Sequence, residues 1–255
     1  MFGMRRLTWA VALIACALVA NTAAAERGSH HWSYGGDTGP TNWGSLEKEY
    51  SACALGHLQS PIDIRDGATK TTNLPAIHFD YKPSPLRIID NGHTIQINHS
   101  PGSFITVGNK RYELKQFHFH RPSEEKINGK AYPMVAHLVH QDDQQHLAVV
   151  AVLLTTGASN PLVKTAFDNL PNEKEHESTV DNATVNAADL LPTSKAYYTF
   201  GGSLITPPCS EGVTWFVLKH PTPVSSEQIA AFGKSYPMNA RPVQPLHGRH
   251  IAATR

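Results

Sequence analysis

The stretch Gln116-Phe117-His118-Phe119-His120 constrains this chain more than any other feature. In an extended strand side chains alternate between faces, so Gln116, His118 and His120 project to one side while Phe117 and Phe119 pack on the other. Met134-Val135-Ala136-His137-Leu138-Val139-His140, after a stretch with turn residues, reads as a second alternating strand. Laid antiparallel beside the first, it brings His137 to the point where His118 and His120 converge. Three imidazoles around one cation, with a fourth position open, describe a catalytic zinc site.

Residues 1–25 have the layout of an export signal: Arg5-Arg6, an apolar run from Leu7 to Ala20, and Ala23-Ala24-Ala25 as a small-residue cleavage site. That run is too short and wrongly flanked for a span of the mature chain. Leu13-Ile14-Ala15-Cys16 offers a competing cleavage box that would leave Cys16 acylated as a membrane anchor. Either route places the folded part outside the cytoplasm, in the periplasm or secreted. Cleavage after Ala25 leaves Cys53 and Cys209, an even pair that one disulfide can close in an oxidising compartment, the alternative being two separately buried thiols. Export also removes two of the 22 basic residues and none of the 21 acidic ones, a net charge of about −1 that argues against nucleic acid as a partner. The sequence leaves the oligomeric state, including a homodimer, open.

No repeat, low-complexity tract or linker interrupts the chain beyond about residue 28, so residues 26–255 are expected to form one domain. Strand patterns recur at 77–81, 86–90, 94–98, 104–107, 112–120, 134–140, 146–155, 197–200 and 214–219. Asn91-Gly92 is a hairpin signal with His93 at or just past its tip. Asn160-Pro161 opens a helix over 161–170, and Ser225 with Gln228 reads as a capping box opening one over 226–233. The expected class is mainly β (α+β): one large, mostly antiparallel twisted sheet with short peripheral helices.

With these strands placed, the chain resembles the α-class carbonic anhydrases along nearly its whole mature length. The motifs that carry the resemblance occur in the family's order: His31-Trp32-Ser33-Tyr34-Gly35, Gln59-Ser60-Pro61-Ile62-Asp63-Ile64, Asn91-Gly92-His93, the two histidine strands, Ser123-Glu124, Gly202-Ser203-Leu204, Pro207-Pro208-Cys209-Ser210-Glu211-Gly212, and Arg241-Pro242-Val243-Gln244-Pro245-Leu246. The resemblance implies a sheet of about ten strands, a cone-shaped cavity with Zn2+ at its base, and hydration of carbon dioxide to bicarbonate and a proton. It also implies a Cys53–Cys209 bond.

Residue by residue, the resemblance makes His118, His120 and His137 the zinc ligands and Gln116 the partner of the His118 ring. Water on zinc held by neutral imidazoles ionises near pH 7, an effect for which carbonic anhydrases are themselves the standard example. His93 falls at the proton-shuttle position, Tyr34 and Asn91 where residues order the intervening waters, and Val139, Val149, Leu204 and Trp215 on the apolar wall for carbon dioxide. The remaining histidines read as surface or hydrogen-bonded residues, and the His-Glu-x-x-His signature of zinc proteases is absent.

Two positions depart from the family. Its threonine after the Ser-Leu pair, which links metal-held water to a buried glutamate, is Ile205 here, while Glu124 keeps the glutamate position and Thr206 supplies a hydroxyl one residue on. Losing one preorganised hydrogen-bonding group typically costs on the order of 10²–10³ in rate. The family glutamate that accepts from the third histidine is Val135, which has no acceptor, a loss that costs about 10–100-fold in metal affinity or activity unless backbone or water substitutes, and Glu125 replaces a histidine. Two functions therefore compete: a zinc carbonic anhydrase of reduced turnover, and a zinc-containing binding protein that is catalytically weak or silent.

Overall fold

The computed structural model describes residues 31–255. The export signal read over 1–25, the alternative at Cys16 and the first residues of the 26–255 domain lie outside the described residues.

Ten strands make the path of one sheet: β1 (Lys70–Thr71), β2 (Ser84–Asp90), β3 (Ile95–Asn98), β4 (Lys110–His120), β5 (Met134–Gln141), β6 (Leu147–Thr156), β7 (Glu177–Val185), β8 (Tyr197–Ser203), β9 (Glu211–Leu218) and β10 (Ala252–Ala253). They lie in the order β7-β2-β3-β4-β5-β6-β9-β8-β10-β1, with Ile77–Asp80, Phe104–Val107 and Thr222–Val224 pairing off this path to complete a thirteen-stranded sheet. From β2 to β6 every neighbour is antiparallel. The β6–β9 pair is parallel, so the sheet is mixed with antiparallel pairing predominant.

The period-2 alternation assigns the two faces. Phe117, Phe119, Ala136, Leu138, Val150 and Val152 build a core on one side. There Phe119 meets Phe167 and Phe232, which project from the helices Pro161–Phe167 and Ser226–Ser235. Both helices start where capping chemistry places them. Asn160 accepts from the Val163 N–H before Pro161, and Ser225 and Gln228 complete both bonds of a capping box. The first helix stops at Phe167, three residues short of the expected end. On the sheet's other face Val135, Val149, Ala151, Leu153, Trp215 and Val217 form a second core, and this is the face that carries the histidines.

Among the longer strands one gave no sequence signal, as did the short segments Asp63–Ile64, Lys70–Thr71, Lys126–Ile127, Lys130–Ala131, Thr222–Val224 and Ala252–Ala253. β7 lies at the sheet's edge on β2, is half exposed along most of its length, and shifts register between Thr179 and Thr184 around Asn182, whose φ is 58°. A polar, bulged edge strand has no dry face to alternate towards and discourages pairing with another chain.

Cys53 and Cys209 are joined, with Cα atoms 5.0 Å apart and 156 positions between them in sequence. The bond ties the helical turn Ala52–Leu55 to the loop that follows β8. Closing so long a loop restricts the unfolded chain, and the loop-entropy relation gives about 4–5 kcal/mol. The double replacement Cys53→Ser, Cys209→Ser is therefore expected to lower the free energy of unfolding by that amount in guanidinium titration.

Candidate metal centre and active site

Register alone assembles the site. His137 pairs with His118, Val135 with His120, and Val139 with Gln116 across β4 and β5. The same rows continue outward: Val139 faces Val149, which faces Trp215, while on the other flank Gln96 pairs with His118 and Asn98 with Gln116. The histidines therefore sit between an apolar flank on β6 and β9 and an amide-lined flank on β3.

One ring nitrogen from each of His118, His120 and His137 lies within 4.8 Å of the others. The second nitrogen of each ring is held. His118 Nδ1 meets Gln116 Oε1 at 2.8 Å, His120 Nδ1 meets the Asn239 carbonyl at 2.7 Å, and His137 Nε2 lies 3.1 Å from both Glu125 oxygens. These contacts leave His118 Nε2, His120 Nε2 and His137 Nδ1 facing the shared point; the last two are buried without a protein partner. Burial, reinforced by the neighbouring imidazoles, lowers His118 to about 3 and His120 well below the ordinary histidine value. Neutral rings with convergent free lone pairs suit a cation.

Beneath them sits Glu124. Its Oε1 accepts from the Arg241 N–H at 2.7 Å, whereas Oε2 has no donor and lies 3.3 Å from His120 Nε2 and 3.8 Å from His137 Nδ1. Burial first, and then the adjacent Glu125, push the Glu124 carboxyl well above the usual range. Ile205 is buried in the same core as Val135, Val149 and Trp215. Trp215 packs edge-on to His137, ring centres 5.1 Å apart, and its indole N–H donates to the Ser203 carbonyl at 3.1 Å. Val139 and Leu204 pack against this core from its margin.

The remaining expected residues lie further out. His93 does not join the cluster: it is half-buried, stacked on Trp32 at 3.5 Å and on His31 at 4.8 Å between ring centres. Burial and His31 lower it to about 4. Asn91 Oδ1 accepts from the His93 and Thr94 N–H groups, so that oxygen closes the turn. The Tyr34 hydroxyl is buried without a protein partner and stands beside Trp32 and Trp43. Thr206 accepts the Cys209 N–H through its carbonyl and is half-buried.

Two functional positions escaped the sequence reading. Asn239 accepts from His120 through its carbonyl and donates its side-chain N–H to the His93 and Phe119 carbonyls. Nothing in a lone asparagine far along the chain announces a backbone acceptor. Glu125 corrects the expectation attached to Val135: the third histidine does have a carboxylate acceptor, supplied by a loop rather than by its own strand.

A strand-borne cluster of three imidazoles on one face of a large mixed sheet marks the α class of carbonic anhydrases. The family model of eukaryotic-type carbonic anhydrases matches residues 38–255. A carbonic anhydrase of Neisseria gonorrhoeae is 43% identical over 248 residues, covering 96% of this chain and 96% of its own. A hyperthermostable carbonic anhydrase identified from an active hydrothermal vent chimney superposes with a TM-score of 0.84 at 46% identity, covering 88% of this chain and all of its own. The α-carbonic anhydrase from Thermovibrio ammonificans, solved with sulfanilamide, gives 0.84 at 40% identity over 87% and 98%. This chain belongs to the α-carbonic anhydrase family, whose general reaction is carbon dioxide hydration.

The buried rings fix the acid response of the metal-free protein. His118 and His140, held to about 3 by burial, His120, held well below its ordinary value, and His93, lowered to about 4, stay neutral when folded but take up protons near pH 6.5 when unfolded. Below that pH the unfolded state binds more protons, so stability falls as pH falls; Glu124, raised, works in the opposite sense for one proton. Four rings against one carboxyl leave the unfolded state the larger proton binder, so stability is expected to fall as pH drops from 6.5 to 4.5, more steeply than the about 1.4 kcal/mol per pH unit of a single proton, checked by urea titrations across that window.

Proposed function

We propose that this chain is a zinc-dependent carbonic anhydrase that works outside the cytoplasm, hydrating carbon dioxide reversibly to bicarbonate and a proton. The convergence of His118 Nε2, His120 Nε2 and His137 Nδ1, two of them buried without a protein partner, carries this reading. The donor set fits zinc, with three neutral nitrogens and room for a fourth ligand. Zinc, when bound, supplies a Lewis acid that makes water nucleophilic near neutral pH.

The chain's own residues divide the rest of the work. Val139, Val149 and Trp215 in one row, with Leu204 beside them, offer a dry wall for an apolar substrate. Gln96, Asn98 and Gln116 on the opposite flank favour water and the charged product. Glu124 Oε2, an acceptor without a donor, is placed to orient a hydroxyl or water at the centre. His93, at the turn, is the proton carrier; stacked on Trp32 at about 4 it holds a proton poorly, so the ring must leave the stack to serve near neutral pH. Tyr34 orders water on the way through its unpaired hydroxyl, and the amide of Asn91, whose oxygen is taken by the turn, holds the hairpin that carries His93. Thr206 contributes a hydroxyl at the pocket edge.

The disulfide supports an oxidising compartment, periplasmic or extracellular. Among the described residues no helix is long and apolar enough to cross a membrane.

Ile205 favours one second reading, a zinc-holding protein of little or no turnover, because no side-chain hydroxyl reaches Glu124 Oε2. Stopped-flow hydration by the zinc-loaded protein separates the two: an initial rate above the buffer blank supports the enzyme, and a rate equal to it removes that reading. Ile205→Thr is expected to raise kcat by about 10²-fold through the restored hydroxyl.

A further inference from the structure

The three histidines are held in three different ways, and the third is built differently from the first. Gln116 serves His118 from the same strand and the same face, two residues earlier. The corresponding residue for His137 is Val135, which is fully buried, faces His120 across the strand pair and packs in the apolar core with Ile205 and Leu153. It has no acceptor to offer. A buried ring N–H left without a partner costs the full desolvation of that group, so His137 Nε2 needs an acceptor from elsewhere.

Glu125 fills that need. It is fully buried, and both its oxygens lie 3.1 Å from His137 Nε2. The loop that presents it is fastened on both sides. The Ser123 hydroxyl donates to the Glu125 carbonyl at 2.8 Å and accepts the Tyr132 N–H at 2.8 Å. Immediately after it, Lys126–Ile127 pairs with Asp63–Ile64 and Lys130–Ala131. Such an anchorage lets a short side chain hold a ring on another element at fixed distance. With Nε2–H donating to Glu125, the tautomer is set and the Nδ1 lone pair is turned toward His118 and His120.

We infer that Glu125 is the positioning residue of this centre: a loop carboxylate that fixes the orientation and tautomer of His137 in place of an acceptor at position 135, and thereby sets zinc affinity. Outer partners of metal ligands typically carry 10–100-fold in affinity, carbonic anhydrase being one source of that range. The inference rests on the zinc reading of the site.

The test is zinc affinity by competition with a chromophoric chelator, measured beside carbon dioxide hydration for the full chain. Glu125→Ala is expected to lose about 10–100-fold in zinc affinity. Glu125→Gln, which keeps one acceptor oxygen, should recover most of that loss, as should adding Val135→Glu to Glu125→Ala. Wild-type affinity in Glu125→Ala, or no recovery in either of the other two, overturns the inference. Should Glu125→Ala fail to fold, ring-15N spectra of the zinc-loaded wild-type protein decide. His137 protonated at Nε2, with that proton slow to exchange, supports the inference; coordination through Nε2 overturns it. An unaltered chain that binds no zinc would instead defeat the underlying reading.

Discussion

Everything at this site depends on one strand pairing, the antiparallel register that sets His137 opposite His118. Because side chains alternate, a slip of β4 by one residue would send His118 and His120 into the other core, away from His137, and bring Phe117 and Phe119 to the pocket. The register is protected on both faces. Phe117 and Phe119 pack with Leu138 and Ala136 against the helices, and Val135 and Val139 pack with Leu153 and Val149 beneath the pocket. The burial that keeps β4 and β5 in line is thus also what aims three imidazoles at one point.

That coupling explains which parts of the molecule the sequence disclosed. Wherever a strand lies between two dry or half-dry faces, its alternation shows: β4, β5 and β6 appear within a residue or two of their patterns. β7 has no such face, and its polar run carries no period to read. At the site, the ligands and Gln116 were legible because a donor and its partner two residues away on a strand share a face by geometry. Asn239 and Glu125 act across the fold, one through its backbone carbonyl and one from a loop, and no local pattern encodes either contact. Val135 reads as a lost acceptor in the sequence because the loop carboxylate that replaces it meets His137 only in the fold.

Val135 and Ile205 acquire a common meaning once their surroundings are seen. Both lie in one apolar core with Val149, Leu153 and Trp215. Strand and turn positions that might carry polar groups there are aliphatic, and the carboxylates nearest the rings are Glu124 and Glu125, adjacent in one loop. On this apolar flank the carboxylates come from the loop, while the strand positions beside them are dry. A dry floor suits an apolar substrate and strengthens each remaining polar contact through the lower local dielectric.

Gathering two carboxylates on neighbouring residues has an electrostatic consequence. Both are fully buried, and burial together with Glu125 already resists ionisation of Glu124. Arg241 is close enough to help, but burial lowers it as well, to about 10, and its guanidinium is engaged by Gln59 and by the carbonyls of Ser60 and Cys53. The local set of imidazoles, two acids and one guanidinium already engaged elsewhere is thus short of positive charge. A dication at the imidazoles would supply it and favour ionised Glu124. Metal binding and the ionisation of Glu124 would then reinforce one another, and the free energy of binding would become part of the stability of the folded chain.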